Sequence, residues 1–388
     1  MFKTQVYNKI APEGLALLTN VGITVSHNVK DPDAILVRSQ KLHDIPLNKS
    51  LLAIGRAGAG VNNIPVDKCT EDGVVVFNTP GANANAVKEL CIASLLLSAR
   101  DIIGGIEYVS SLSDEGDQVS PLVEQNKGNF KGIEIQGKTL GVIGLGAIGV
   151  MVANAAAALG MKVLGHDPFI SVDRAWGLSR NVKPSSDLNH LLSKSDFITL
   201  HMPLTNSTKE FLNKEKLSKI KPGSVVINLS RPEIVNNNDV LDALNAETLR
   251  RYVTDFPTDA LVKNKKVIPI PHLGASTKEA EDNCAIMISN QIKDYLENGN
   301  ITNSVNFPNC DMARSTLYRL CILNKNIPNM VGQITGVLAE ETLNISNMLN
   351  KSSGEMAYTI VDVENKPTPE IIEKINAIPG VIRTRLLS

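Results

Sequence analysis

Short apolar runs of strand length recur along the chain, each stopped by a polar or glycine-rich turn. TLGVI (139–143), MKVLGH (161–166), FITL (197–200), VVINL (225–229) and VIPI (267–270) read as strands. The Ala-rich stretch 147–159 and the stretches 187–194 and 239–249 between them read as helices. Strands alternating with helices predict a parallel sheet covered on both faces, a doubly wound α/β fold. Residues 1–85 repeat the rhythm more weakly, with AILV (34–37), LLAI (51–54) and VVVF (74–77), and predict a smaller α/β domain. A long helix, 84–100, is apolar on more than one face (Leu90, Ile92, Leu95, Leu96, Leu97) and so predicts a dimer contact. The C-terminal pattern differs. Strands at 318–323, 345–349, 356–363 and 381–387 and helices at 330–341 and 371–378 give βαββαβ, a ferredoxin-like plan, after a polar linker at 298–314.

A length of 388 residues fits two to three domains, and 43% hydrophobic with 20% charged residues is ordinary for a globular chain. The 39 basic and 40 acidic side chains nearly cancel, which gives no argument for a nucleic-acid or membrane partner. No apolar run approaches the roughly 18 residues of a membrane span. The start, MFKTQVYNKIAPEG, lacks a signal peptide's apolar stretch. The five cysteines (69, 91, 284, 310, 321) form no C-x-x-C pair and the six histidines no H-E-x-x-H spacing, so neither a disulfide scaffold nor a metal site is expected. The expectation is a reduced, cytoplasmic, multi-domain protein.

The strongest motif is GLGAIG (144–149), between an apolar strand and an Ala-rich helix. Gly144 allows the tight turn, Gly146 lets backbone approach a pyrophosphate, and Gly149 lets helix and strand pack closely. The diphosphate would sit at the helix N-terminus, over Ala147 and Ile148, where free N–H groups favour anions. Asp167 ends the next strand, eighteen residues after Gly149. Its carboxylate would accept from the adenosine ribose and repel a 2′-phosphate, which favours NAD over NADP.

Three further polar residues follow strands of the same sheet: Arg231 after VVINLS, Asp259 just past VTDF, and His272 after VIPIP. Ligands of open parallel sheets collect at the carboxyl ends of the strands. The residue types suit hydride transfer from a hydroxyl-bearing carbon beside a carboxylate. His272 would take the hydroxyl proton, Arg231 would clamp the carboxylate, and Asp259 would support the imidazolium.

The stretches VRS (37–39), GRAGAGVNNI (55–64), NANAVKE (83–89), GLGAIG, LHMPLT (200–205), NLSR (228–231) and PHLGAST (271–277) together resemble the D-isomer-specific 2-hydroxyacid dehydrogenases. The resemblance implies a discontinuous flavodoxin-like substrate domain (1–88, completed by 280–308), an NAD-binding Rossmann domain (89–279) and a C-terminal ACT regulatory domain (315–388). It implies His272 as the acid/base, Arg231 as the carboxylate clamp and Asp259 where the family has Glu, a departure one methylene shorter. His201, Pro203 and Asp255 join the cofactor residues. Arg38, Ser39, Arg56, Ala57 and Gly58 are implied for the substrate, with the two arginines on a phosphate. The expected substrate is 3-phospho-D-glycerate, oxidised at C2 in the first step of serine synthesis. The alternatives are another 2-hydroxy acid, such as glycerate or a 4-phosphorylated sugar acid, and an NAD-sensing co-repressor-like scaffold. In the serine-sensing form of the ACT domain, Asn326 and Asn344 match the effector positions, while Asn324 and Asn329 depart from them. A homodimer, or a homotetramer through ACT pairing, is expected.

Overall fold

Short buried runs ended by turn glycines build three sheets in the computed structural model, which describes residues 1–388. The chain divides into two units, Met1–Asn83 with Lys278–Ser388, and Ala84–Thr277.

The first unit holds two sheets. One contains β1 (Lys3–Val6), β2 (Thr24–Ser26), β3 (Ala34–Val37), β4 (Ala53–Arg56) and β5 (Val75–Phe77), all parallel in the order 2-1-3-4-5. That is the doubly wound order with its switch between β1 and β3. The returning helix Lys278–Asn298 buries Ala285, Ile288, Ile292 and Tyr295 against this sheet.

The central unit carries β6 (Thr139–Ile143), β7 (Lys162–His166), β8 (Val182–Pro184), β9 (Phe197–Leu200), β10 (Ser224–Asn228), β11 (Leu249–Thr254) and β12 (Val267–Pro269). They form one parallel sheet in the order 12-11-10-9-6-7-8. Every residue of β9 and β10 is buried, as a sheet covered on both faces requires. The order reverses between β6 and β9, and this crevice at the carboxyl edge is where such sheets bind ligands.

The second sheet of the first unit is antiparallel. It contains β13 (Tyr318–Lys325), β14 (Ile345–Ser353), β15 (Met356–Val363) and β16 (Val381–Leu387) in the order 14-15-13-16, with helices Met330–Glu340 and Pro369–Asn376 in the βαββαβ sequence. Leu320, Ile322, Val361 and Val363 face those helices. The alternate residues Cys321, Leu323, Tyr358 and Ile360 join the core built around Ile288 and Tyr295. Both faces are thus buried, which explains the unbroken apolar run in β13. Arg319 and Asp362 lie opposite each other in register, both fully buried, with Arg319 Nε 2.6 Å from Asp362 Oδ1. The guanidinium also donates to the carbonyls of Asn298 and Met312.

The linker expected at 298–314 is instead part of this unit. Ser304 bridges to Phe77, Asn306 exchanges hydrogen bonds with the backbone of Val76 and Val74, and Phe307, Cys310 and Met312 are buried. The polar composition that suggested a linker reflects side chains spent on pairing the β5 edge. No helix is long and apolar enough to cross a membrane.

Candidate active site

The glycine loop after β6 is shaped by two backbone demands. Gly144 has φ +92°, and an added Cβ would lie 2.5 Å from the His201 carbonyl. A Cβ on Gly149 would lie 1.9 Å from the Gly144 carbonyl, so only glycine lets the helix Ala147–Ala158 start this close to β6. Gly146 is different, because it is exposed and a Cβ there would meet nothing within 4 Å. Protein packing does not require glycine at 146, and the space beside it is open to a close-lying ligand.

At the end of β7, Asp167 Oδ2 accepts from the Leu145 N–H (2.8 Å) and Oδ1 from the Phe169 N–H (2.9 Å). The carboxylate therefore braces the glycine loop itself. His201, just past β9, lies with Nε2 3.0 Å from Thr199 Oγ1 and 4.0 Å from Cys91 Sγ. Burial pushes its pKa down to about 4, so the imidazole is neutral at neutral pH. Pro203 is exposed in the loop beyond.

Past β10, Asn228 staples the turn that presents Arg231. Its Nδ2 donates to the Arg231 carbonyl (2.9 Å) and its Oδ1 accepts from the Ser230 N–H (3.1 Å). The Arg231 guanidinium donates to the Ser230 carbonyl (2.7 Å). Past β11, Asp255 is 2% exposed and neither carboxylate oxygen accepts a hydrogen bond from another residue. Burial raises its pKa to about 6 against the opposing pulls of its own backbone N–H and of Arg231. Past β12, His272 is exposed, its ring 4.9 Å from that of Phe256 in an edge-on arrangement at 66°. Oδ2 of Asp255 lies 3.7 Å from the position a Cβ on Gly274 would take. Arg231, Asp255 and His272 thus emerge from three adjacent strands at one edge of the sheet.

Asp259 does not join them as expected. It opens the short helix Asp259–Val262, its side chain is 85% exposed, and Oδ2 pairs with Lys263 Nζ at 2.6 Å. An exposed carboxylate with a lysine one turn away takes the local i,i+4 partner. The buried carboxylate of this edge is Asp255, the first residue after β11, and the strand-end rule that selected Arg231 points to it equally. The Phe256 ring against His272 carried no sequence signal of its own.

In the first unit, Arg56 ends β4 opposite Val37, and Arg38 is the first residue past β3. Arg56 Nε donates to the Arg38 carbonyl (3.0 Å), and its Nη1 donates to the Gly60 carbonyl. Arg38 Nη1 meets Glu281 Oε1 at 2.8 Å. Ala57 and Gly58 follow in a loop whose Gly58 has φ +158°. The Ser39 N–H is already taken by Asn8 Oδ1 (2.9 Å). At the C-terminal module, Asn324, Asn326, Asn329 and Asn350 line a cavity of about 160 Å³. Asn344 is not in that lining, and its Nδ2 donates to Glu364 Oε1 (2.8 Å).

These arrangements fit a dinucleotide at the central sheet: an open glycine at a helix N-terminus, a carboxylate after the second strand, and an unpartnered buried acceptor at the far end of the crevice. Residues 95–274 match the model of the D-isomer specific 2-hydroxyacid dehydrogenase NAD-binding domain. The D-3-phosphoglycerate dehydrogenase of Escherichia coli is 31% identical over 379 residues, which are 94% of this chain and 88% of that one. The chain belongs to the D-isomer-specific 2-hydroxyacid dehydrogenases. The D-3-phosphoglycerate dehydrogenase of Methanocaldococcus jannaschii is 36% identical over 316 residues, 79% of this chain and 58% of the relative. The chain spans 52–59% of the length of four such relatives. Among solved structures of the family's fold, NAD+-bound 3-phosphoglycerate dehydrogenase of Entamoeba histolytica gives a TM-score of 0.63 at 28% identity, over 79% of this chain and 98% of the other.

Proposed function

We propose that the chain catalyses the NAD-dependent oxidation of 3-phospho-D-glycerate at C2 to 3-phosphohydroxypyruvate, the first step of L-serine synthesis, in the cytoplasm. The observation that carries this reading is the convergence of Arg231, Asp255 and His272 past three adjacent strands of a sheet that also bears the glycine loop. Gly144, Gly146, Ala147, Ile148 and Gly149 would hold the pyrophosphate of NAD, with Asp167 and His201 framing the loop. Asp255 would accept from an amide N–H of the nicotinamide end. When bound, NAD supplies the hydride acceptor. His272 removes the hydroxyl proton, and its exposure leaves that proton a route to water. Arg231 holds the substrate carboxylate with a rigid fork. Arg38 and Arg56 are the phosphate ligands of the first unit, with the backbone of Ala57 and Gly58 beside them. The names of the curated relatives favour phosphoglycerate over other 2-hydroxy acids.

The same reading takes the C-terminal module as an ACT-type regulatory domain, with L-serine the effector to test in the Asn326 cavity, and the chain as a homodimer or homotetramer. Helix Ile102–Ser111 supports the latter: none of its residues is buried, and Ile102, Ile106 and Val109 are exposed on one stripe.

The deciding experiment follows NADH absorbance with 3-phospho-D-glycerate, D-glycerate and 4-phospho-D-erythronate, with and without L-serine. Turnover should require the phosphate at C3. In the same assay His272→Ala should lower kcat by roughly 10²–10⁴-fold with NADH affinity nearly unchanged. Equal turnover of unphosphorylated glycerate, or wild-type kcat in the variant, refutes the reading.

A further inference from the structure

Arg38 is held by a carboxylate from its own unit. Glu281 comes from the first turn of the helix Lys278–Asn298, reaches across to the end of β3, and meets the Arg38 guanidinium at 2.8 Å. The neighbouring Arg56 spends its Nε and one terminal nitrogen on backbone carbonyls. Cys284, one turn along the helix, feels both arginines and Glu281, so the three charges share one neighbourhood. A helix N-terminus favours acids generally, but Glu279 already supplies one in this first turn. That preference does not explain why Glu281 closes on Arg38.

We propose that Glu281 sets the anion affinity of this site, an internal anion that occupies Arg38 until an incoming anion displaces it. The proposal rests on the reading of Arg38 as a phosphate ligand. A carboxylate and a phosphate present the same pair of acceptor oxygens to a guanidinium fork. They differ in charge, since a phosphate monoester carries about −1.5 to −2 at neutral pH and a carboxylate −1. A monoanion arriving at Arg38 exchanges one single charge for another and gains little. A phosphate replaces it with a net gain, and Glu281 then turns to solvent, where it is already 40% exposed. Displacing Glu281 costs every incoming anion the same free energy, so affinity for all of them falls by one factor, and phosphate, which gains most from Arg38, still binds where a weak monoanion does not.

The test is Glu281→Gln, which keeps the shape and removes the charge, with Glu281→Ala as a second variant. An exposed ion pair of this kind corresponds to about a two- to five-fold change in an equilibrium constant. KM for 3-phospho-D-glycerate should fall by that factor while kcat and KM for NAD hold. Inorganic phosphate binding, read by thermal shift without turnover, should tighten by the same factor, and nitrate should begin to compete. A raised KM, or unchanged phosphate and nitrate binding, overturns the proposal and leaves Glu281 as a support for Arg38. Phosphate binding that tightens in a protein unable to oxidise 3-phospho-D-glycerate would remove the proposed function and leave the anion exchange standing.

Discussion

Asp255 should make the ligand-free protein less stable than it need be. Its carboxylate is 2% exposed and accepts no hydrogen bond from another residue, and burial raises its pKa from 3.8 to about 6. At about 1.4 kcal/mol per pKa unit, holding the ionised form costs about 3 kcal/mol. The sign follows from linkage. Below about pH 4 the group is protonated in folded and unfolded chains alike and costs nothing. Between about pH 4 and 6 the unfolded chain ionises first, so stability falls as pH rises. Above about pH 6 the folded carboxylate is ionised too and the full cost is present.

Asp255→Asn mimics the protonated form at every pH. The variant and the parent should therefore unfold at nearly the same urea concentration at pH 4, and the variant should be more stable by about 3 kcal/mol at pH 7.5. All other groups titrate alike in the two proteins, so the difference isolates this one carboxylate. The assay is urea unfolding by circular dichroism at several pH values, with saturating NADH in a parallel series. Because the proposed role of Asp255 is to accept from bound cofactor, NADH should stabilise the parent more than the variant. A variant less stable than the parent at pH 7.5, or a stability gap that does not change with pH, would refute the reasoning. Equal stabilisation by NADH would remove the cofactor role alone.

The two glycines of the phosphate loop should separate packing from binding. Gly146→Ala meets no protein atom, so its melting temperature without ligand should match the parent while NADH affinity falls; Gly149→Ala drives a Cβ to 1.9 Å from a carbonyl and should lose stability with or without NADH, as differential scanning fluorimetry would report. Asp362→Asn leaves the fully buried Arg319 without its counter-charge and should cost about 3–5 kcal/mol in urea unfolding. Burial alone would raise the Asp362 pKa, but its bonds from Arg319 and Ser315 outweigh that and hold it below the ordinary carboxylate value. Its contribution is therefore present above about pH 4 and should vanish as pH falls through the lower folded value, the reverse of Asp255.

What could be read from sequence was set by how local the physics is. GLGAIG announces its turn because Gly144 and Gly149 answer to backbone atoms within a few residues or on the neighbouring strand. Arg231 and His272 were visible because each directly follows an apolar run, and a parallel sheet sends every such residue to one edge. Asp259 misled because VTDF (253–256) read as strand to its end, whereas β11 stops at Thr254. Five residues past the strand the chain has already started another helix, and Lys263, one turn on, captures the side chain. Asp255, four residues earlier and the first residue after β11, is buried where Asp259 is exposed. The C-terminal module shows the same limit at larger scale. Strand-length apolar runs in β13 and β15 forecast the sheet, but they do not say what covers the second face. That depends on Tyr295 and Ile288, some thirty residues earlier, and on the buried Arg319–Asp362 pair, which a pattern of apolar positions reads as an interruption. Glu281 belongs to this class. A glutamate in a first helical turn is unremarkable until the fold brings the end of β3 to it, so the charge that tunes Arg38 becomes legible only in three dimensions.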